Sequence, residues 1–450
     1  MASDATREGG EGTGGELERG ISRRMLVFFI VGDMIGGGIY ALVGDVGDVV
    51  GGAVWSAFVL ALVLALFSAG AYAELSTKYP RAGGAATFVH RAFKQSLLTF
   101  VIAFGVICSG ISSAAALAIA FGSDYFVEFA PVPFRITAIA LIVLLSLINF
   151  YGIKESVSLN VVFTSIEVLG LFMIVVIGLL ALGAGVGDPG RAFEFTGGGN
   201  PLILAFAGAG LAFYALVGFE DSVNVAEEVD DPRGSFPFAL LGGVVIAGII
   251  YFLVTLVAPM VVDVSQLAQS DNPLLEVVKV APYTVPEWLF ALIGLFALSN
   301  GALINMIMAS RLLYGMAEDG VLPPVFGKIH SSRRTPWVGV IFAGLLASGL
   351  ILSGGVEPLA ATTVVLLLLA FIFVNVSCLV LRRDRVEHDY FRIPTAFPVL
   401  GVIVNLALLT QQEAGIFLRA GILLLIGAVL WLVNRFTLGR TQSPDAAPTA

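Results

Sequence analysis

Gly32-Asp33-Met34-Ile35-Gly36-Gly37-Gly38-Ile39 interrupts an apolar run from Val27 to Val43, and Tyr214-Ala215-Leu216-Val217-Gly218-Phe219-Glu220-Asp221 interrupts a second from Leu202 to Val225. Bare backbone and carboxylates are costly in hydrocarbon unless they line a protected cavity. Two such breaks, one opening each half of an apolar chain, are the pattern expected of a membrane pathway for a solute. Unwinding a helix at mid-depth frees N–H groups on one half and C=O groups on the other. The N–H groups suit a carboxylate, and the carbonyls suit an ammonium. Three successive glycines, Gly36, Gly37 and Gly38, cover most of a helix circumference. A packing face needs only one side, so a break is expected there in preference to a tight helix contact.

Composition points the same way. Only 13% of the 450 residues are charged and 58% are hydrophobic, with a mean hydropathy of +0.95; a soluble domain carries roughly 25% charged residues. The 33 phenylalanines and 52 glycines fit helices that face lipid with large side chains and each other with small ones. A formal charge of -9 argues against nucleic-acid binding. Lysine is scarce beside arginine, which fits either a saline cytoplasm or a GC-rich genome. Cys108 and Cys378 fall far apart in apolar stretches and read as small core residues without a disulfide framework.

Apolar segments long enough to cross a bilayer fall at about 25–47, 51–75, 97–121, 133–150, 158–184, 200–225, 237–260, 286–312, 336–354, 358–381, 396–412 and 416–435, the shortest near 133 and 396. With both termini cytoplasmic, one side collects Arg23, Arg24, Lys78, Arg81, Arg91, Lys94, Lys154, Arg333, Arg334, Arg382 and Arg383 among others, and the opposite side Arg135, Arg191, Lys279 and Arg419. That asymmetry is the positive-inside pattern. The expectation is an all-α, multi-pass protein of the cell membrane with 12 transmembrane helices. Residues 1–22 and 437–450 are expected as disordered cytoplasmic tails, and 76–96 and 317–336 as loops.

Further carboxylates fall inside spans. Glu167 sits in the middle of the fifth, where an acid pairs, changes protonation, or serves a structural hydrogen bond. Glu220 is read as part of the pathway; Asp221 is placed equally at the pathway or at the cytoplasmic edge. Asp33 either faces the pathway or caps the first half-helix. His90, His330 and His388 fall in expected loops, so none is expected as a proton relay within the membrane. No nucleophile–base pairing, metal-ligand spacing or phosphate loop stands out, so no enzyme, metal or cofactor is expected, only a coupling proton.

Across residues 22–436 the chain resembles the amino acid–polyamine–organocation (APC) superfamily of amino acid permeases. The resemblance is carried by Gly32 to Tyr40, by Phe213 to Glu220 with Ala226-Glu227-Glu228-Val229-Asp230-Asp231-Pro232-Arg233, and by Ser310-Arg311-Leu312-Leu313-Tyr314-Gly315 running on to Pro323. It implies the LeuT-type fold: spans 1–5 (23–184) and 6–10 (198–381) as inverted repeats, and two additional helices at 394–436. It also implies that a substrate α-carboxylate meets N–H groups of Gly36, Gly37 and Gly38. The α-ammonium is then expected on carbonyls of Ile35, Tyr214, Ala215 and Val217. The gating aromatic falls on Tyr214 and the family's acidic position on Glu220. Where proton-coupled relatives carry a lysine in the fifth span, this chain has Glu167, which either binds a proton itself or pairs with Asp33. The implied activity is secondary transport of an amino acid, by proton symport in preference to exchange, with loss of turnover to a sensor as a further alternative. The expected partners are the amino acid and membrane lipid, with monomer and homodimer both open.

Overall fold

In hydrocarbon each segment must satisfy its own backbone hydrogen bonds, so apolar runs of this length fold as helices. The computed structural model describes residues 20–36, 38–81, 83–196, 199–270, 272–280, 285–318 and 320–438. Gly37 and residues 1–19 and 439–450, where most of the two expected tails fall, lie outside the described residues. Within them the chain is helical, and the extended pairings are the isolated bridges Ile21–Val229 and Gly51–Phe195.

The helices run α1 (Arg23–Ile35), α2 (Gly38–Val50), α3 (Val54–Lys78), α4 (Gly84–Phe93), α5 (Ser96–Ala120), α6 (Phe134–Tyr151), α7 (Ile153–Gly183) and α8 (Pro201–Leu216). They continue with α9 (Pro232–Val261), α10 (Val264–Gln269), α11 (Pro273–Lys279), α12 (Glu287–Glu318), α13 (Trp337–Ser353), α14 (Val356–Leu381), α15 (Ala396–Leu409) and α16 (Ala414–Leu438). A 3-10 segment, Phe219–Glu228, follows α8 after a break. Among the described residues nine helical stretches are long and apolar enough to cross a bilayer, and ten if Arg23–Tyr40 and Leu42–Val50, bent by 63° relative to each other, form one span. The segment near residue 133 meets that test as the 18-residue α6. The segments that fall short are α13, trimmed by Pro336 and by Gly354, and the 14-residue α15. At 1.5 Å per residue, α15 reaches about 21 Å of a roughly 30 Å hydrocarbon core.

The layering follows burial. In α5 and α12, 89% of the most apolar window is buried, against 17% in α16, so α5 and α12 run through the middle and α16 lies at the rim. Small residues allow the close approach of α7 to α9, where a Cβ on Gly178 would strike Val257. The region 76–96 is not a plain loop. It holds α4, entered through Gly83 at φ +102° and closed by Lys94 at φ +52°, and packed through Ala85, Ala86, Phe88 and Val89. His90 therefore lies in a helix, with Nδ1 3.2 Å from Thr99 Oγ1. Its amphipathic period runs for only ten residues, too short a window to announce a helix between two apolar spans.

Two buried ion pairs tie spans together. Arg311 of α12 and Glu228 are both fully buried, with Nε 3.3 Å from Oε2. The guanidinium also donates to Asn149 of α6 and to Ser310 Oγ at 3.0 Å. The carbonyl of Glu228 accepts from Gly20 and Ile21 N–H, each at 3.0 Å, so the last residues of the expected N-terminal tail are pinned. In the second pair Arg382 grips Glu74 with both arms, at 2.9 and 2.7 Å, and Lys78 Nζ caps the end of α14 through Leu381 O at 2.6 Å.

Removing one partner of a buried pair strands the other charge, at a cost of about 3–5 kcal/mol. Glu228→Ala is therefore expected to lower the melting temperature of the detergent-solubilised protein sharply. Adding Arg311→Met should recover most of the loss; a single variant that melts like the parent would refute the structural role of this pair.

Candidate functional site

The first break is made by glycine where backbone meets backbone. α1 ends at Ile35, and Gly36 leaves the helix at φ −57°, ψ 128°. Gly36 N–H still reaches Gly32 O at 3.1 Å, and Gly38 N–H turns back to Gly36 O at 2.6 Å. A Cβ on Gly36 would lie 3.2 Å from Gly301 Cα, and one on Gly38 would lie 2.8 Å from Ala215 Cα. The glycines thus both end the helix and admit α12 and α8 against it, so the choice between break and packing does not divide them. Gly37 lies outside the described residues.

The second break follows Leu216. Val217 is extended, and Gly218 takes φ +120°, a region that strongly favours glycine. Gly218 N–H donates to Glu220 Oε2 at 2.8 Å, so Glu220 satisfies an amide that the break leaves open. A Cβ on Gly218 would lie 2.9 Å from Asp33 Cγ, which places the two breaks in contact. Asp33, Glu220 and Asp221 are all buried. Asp33 and Asp221 line the same cavity, and Asp33 Oδ2 makes no hydrogen bond. Asp221 is therefore part of this buried cluster and not of an exposed edge.

Between the breaks lies a cavity of about 40 Å³, room for a few water molecules. Asp33, Gly36, Tyr214, Val217, Glu220 and Asp221 line one side; α5 adds Ser109 and Ser113, α12 adds Asn305 and Met308, and α14 adds Thr363. Tyr214 and Ser113 both line it. No lysine or arginine lines this cavity among the described residues. Of the remaining expected residues, Ile35, Gly38 and Ala215 are buried behind the lining, and Glu167 lies outside it.

Glu167 belongs to a second polar cluster behind the first break. Asn160, Thr164 and Glu167 fall on one face of α7 by their spacing of four and three residues. Asn160 Nδ2 donates to Asn300 Oδ1 of α12 at 2.8 Å, and Asn300 Nδ2 to Thr164 Oγ1 at 3.0 Å. Gly32 is required here: a Cβ would meet Thr164 Oγ1 and come within 2.7 Å of Asn300 Nδ2. Glu167 is fully buried and faces Asn300, yet neither of its oxygens makes a well-formed hydrogen bond. The nearby Tyr40 hydroxyl is likewise without a partner.

Sequence reasoning overlooked Tyr251. Its hydroxyl, on α9, contacts Met34 O of the first break and Ala215 O of the second, the latter at 3.0 Å. A carbonyl expected to be open to an ammonium is thereby already engaged. The one available signal was a tyrosine in the apolar run Ile249–Leu253, since a buried phenol needs a hydrogen-bond partner. No group of three or more His, Cys, Asp or Glu among the described residues is arranged to hold a metal ion.

Residues 21–433 match the family described as amino acid permease. A branched-chain amino acid permease of Bacillus subtilis is 24% identical over 94% of this chain and 92% of its own length. Cationic amino acid transporter 4 of Homo sapiens is 30% identical over 82% of this chain but 60% of its own length. The chain therefore spans about three-fifths of that longer relative. A methylthioribose transporter of Bacillus subtilis is 26% identical over 86% of each chain.

Tyr251→Phe keeps the ring against Phe58, 5.6 Å between centroids, but removes the one O–H donor that Met34 O and Ala215 O share. One stranded carbonyl costs about 1–3 kcal/mol, so solute uptake per folded molecule should fall by roughly tenfold or more. Gly218→Ala should be worse, whereas Gly242→Ala, with open space around it, serves as the neutral control. Normal uptake by Tyr251→Phe at matched surface expression would show that the bridge is dispensable.

Proposed function

The chain belongs to the amino acid permease family, and from that premise we propose that it carries an amino acid across the cell membrane by alternating access, coupled to protons. The observation that carries this reading is the contact between the two breaks at a polar cavity, through Gly38 on Ala215 and Gly218 on Asp33. We take the fold to be the LeuT type, with 23–184 and 198–381 as the inverted repeats and 394–436 as two further helices. Twelve spans result if α13 and α15 complete the ten that length and apolarity support. The charge asymmetry of the connections favours cytoplasmic termini.

In this reading the α-carboxylate of the substrate takes the N–H groups of the Gly36–Gly38 turn, and the α-ammonium takes carbonyls of Ile35, Tyr214 and Val217. Gly36 and Gly38 N–H are engaged within the chain here, and the cavity is too small for an amino acid. The conformation is accordingly a closed one, and binding must open the turn. Tyr214, on the cavity wall, is placed to cover the ligand. The wall of Ser109, Asn305 and Thr363, with Asp33 and Asp221 opposite, suits an amino acid with a polar or cationic side chain better than one with a purely aliphatic side chain.

The coupling proton is assigned to Glu167, supported by its complete burial and its two unpartnered oxygens. A carboxylate so placed is stable only if protonated or paired. Exchange of one amino acid for another is the alternative mode and needs no such residue.

Purified protein in liposomes, offered a panel of labelled amino acids, separates these readings. Concentrative uptake driven by an inward proton gradient alone is the expected result. Glu167→Gln should then abolish accumulation while retaining binding and counterflow, and Tyr214→Ala should weaken substrate retention more than expression. Uptake seen only against internal amino acid would replace symport by exchange, and binding without any flux would indicate a sensor.

A further inference from the structure

A second and larger cavity lies at the rim of the bundle, between α5, α13, α14 and α16. Its volume is about 470 Å³, within the roughly 300–1,000 Å³ typical of ligand sites. The floor is Cys108, Ile111 and Ser112 of α5, and Leu346 and Leu350 of α13 form a wall. Ile422 and Leu423 of α16 lie across from them. Its one charged lining residue is Arg419. That side chain is exposed, five residues into α16, and makes no ion pair with another described residue. The mouth adjoins Gly354 and Gly355, the link where α13 ends and α14 begins, so it opens at a membrane face, where headgroups lie. An apolar slot in a lipid-facing surface with an uncompensated arginine at headgroup level complements an anionic lipid.

We propose that this groove binds an anionic phospholipid, one acyl chain between α13 and α16 and the phosphate on Arg419. The site shares its wall with the central cavity. On α5, Cys108 and Ser112 face the groove while Ser109 and Ser113 line the central cavity. On α14, Thr362 faces the groove and Thr363 the central cavity. Thr363 Oγ1 donates to Ser109 O at 3.0 Å, which locks the two helices into one sheet of side chains between the sites. A lipid tail braces that wall from outside, and an empty groove lets α5 and α14 relax away from the central cavity. Lipid composition therefore acts on uptake through the packing of this wall.

The test uses the full-length chain in mild detergent, offered phosphatidylglycerol or phosphatidylcholine of identical acyl chains and examined by native mass spectrometry. Retention of one phosphatidylglycerol per chain, several-fold over phosphatidylcholine, is expected. Arg419→Gln, an exposed change that leaves the fold intact, should erase the preference. Arg419→Lys should keep part of it, and Leu423→Trp should exclude both lipids. Cys108, labelled by a small maleimide and located by peptide mapping, should react more slowly when phosphatidylglycerol is bound. In liposomes, phosphatidylglycerol should raise uptake by the parent and not by Arg419→Gln, the two being equal in phosphatidylcholine alone. Equal retention of both lipids, or an unchanged preference in Arg419→Gln, overturns the proposal. So does protection of Cys108 that follows protein concentration and not lipid, which would assign the groove to a second copy of the chain. The lipid-retention arm requires no transport, so its failure is distinct from failure of the amino acid permease reading.

Discussion

A helix broken inside a membrane leaves carbonyls and amides that no water reaches, and the centre of this protein is organised around supplying their partners. The Tyr251 hydroxyl serves Met34 O and Ala215 O, one from each break. Glu220 serves the amide of Gly218, and Gly36 O takes the amide of Gly38. Each unsatisfied group would cost about 1–3 kcal/mol or more. The two breaks are stable because they meet each other and α9 and not lipid. The long buried helices α5 and α12 provide the rest of that enclosure.

Buried charge divides into two kinds. Arg311 with Glu228, and Arg382 with Glu74, are closed pairs with additional hydrogen bonds, which is what a structural tie between helices requires. Asp33, Glu220 and Asp221 share one wall of a cavity that no basic side chain lines among the described residues, and Glu167 stands alone behind it. Groups of the second kind weaken the bundle unless a proton or a cationic ligand occupies them. Asp33, Glu220 and Asp221 sit where the backbone is broken.

The parts legible in the sequence were those with long or steep signals. Apolar runs marked the helices to within a few residues at most ends, such as α5, expected at 97–121 and found at Ser96–Ala120. The glycines and acids at Gly32–Gly38 and Gly218–Asp221 marked the breaks. Weaker signals failed. α4 was taken for loop because ten amphipathic residues that start at Gly83-Gly84 and lie between two apolar spans look like a connection. Tyr251 was invisible because nothing in Ile250-Tyr251-Phe252 says which way the phenol points. Asp221 was undecidable because an acid three residues before Asn224 fits an exposed helix end as well as a cavity wall.

Composition and periodicity alone determined that this is a helical membrane protein with two weakened spans, because the penalty for exposed backbone in lipid leaves no other way to read such runs. They also determined which residue types stand at the breaks. Only the tertiary structure decided how those residues are paired. Asp33 lies against Gly218 of the second break, Gly32 makes room for Thr164 and Asn300, and Glu167 is turned away from the cavity. The reason is geometric. Each of these contacts joins residues from different helices, whose rotation and crossing are set by packing over the whole bundle and leave no trace in local sequence.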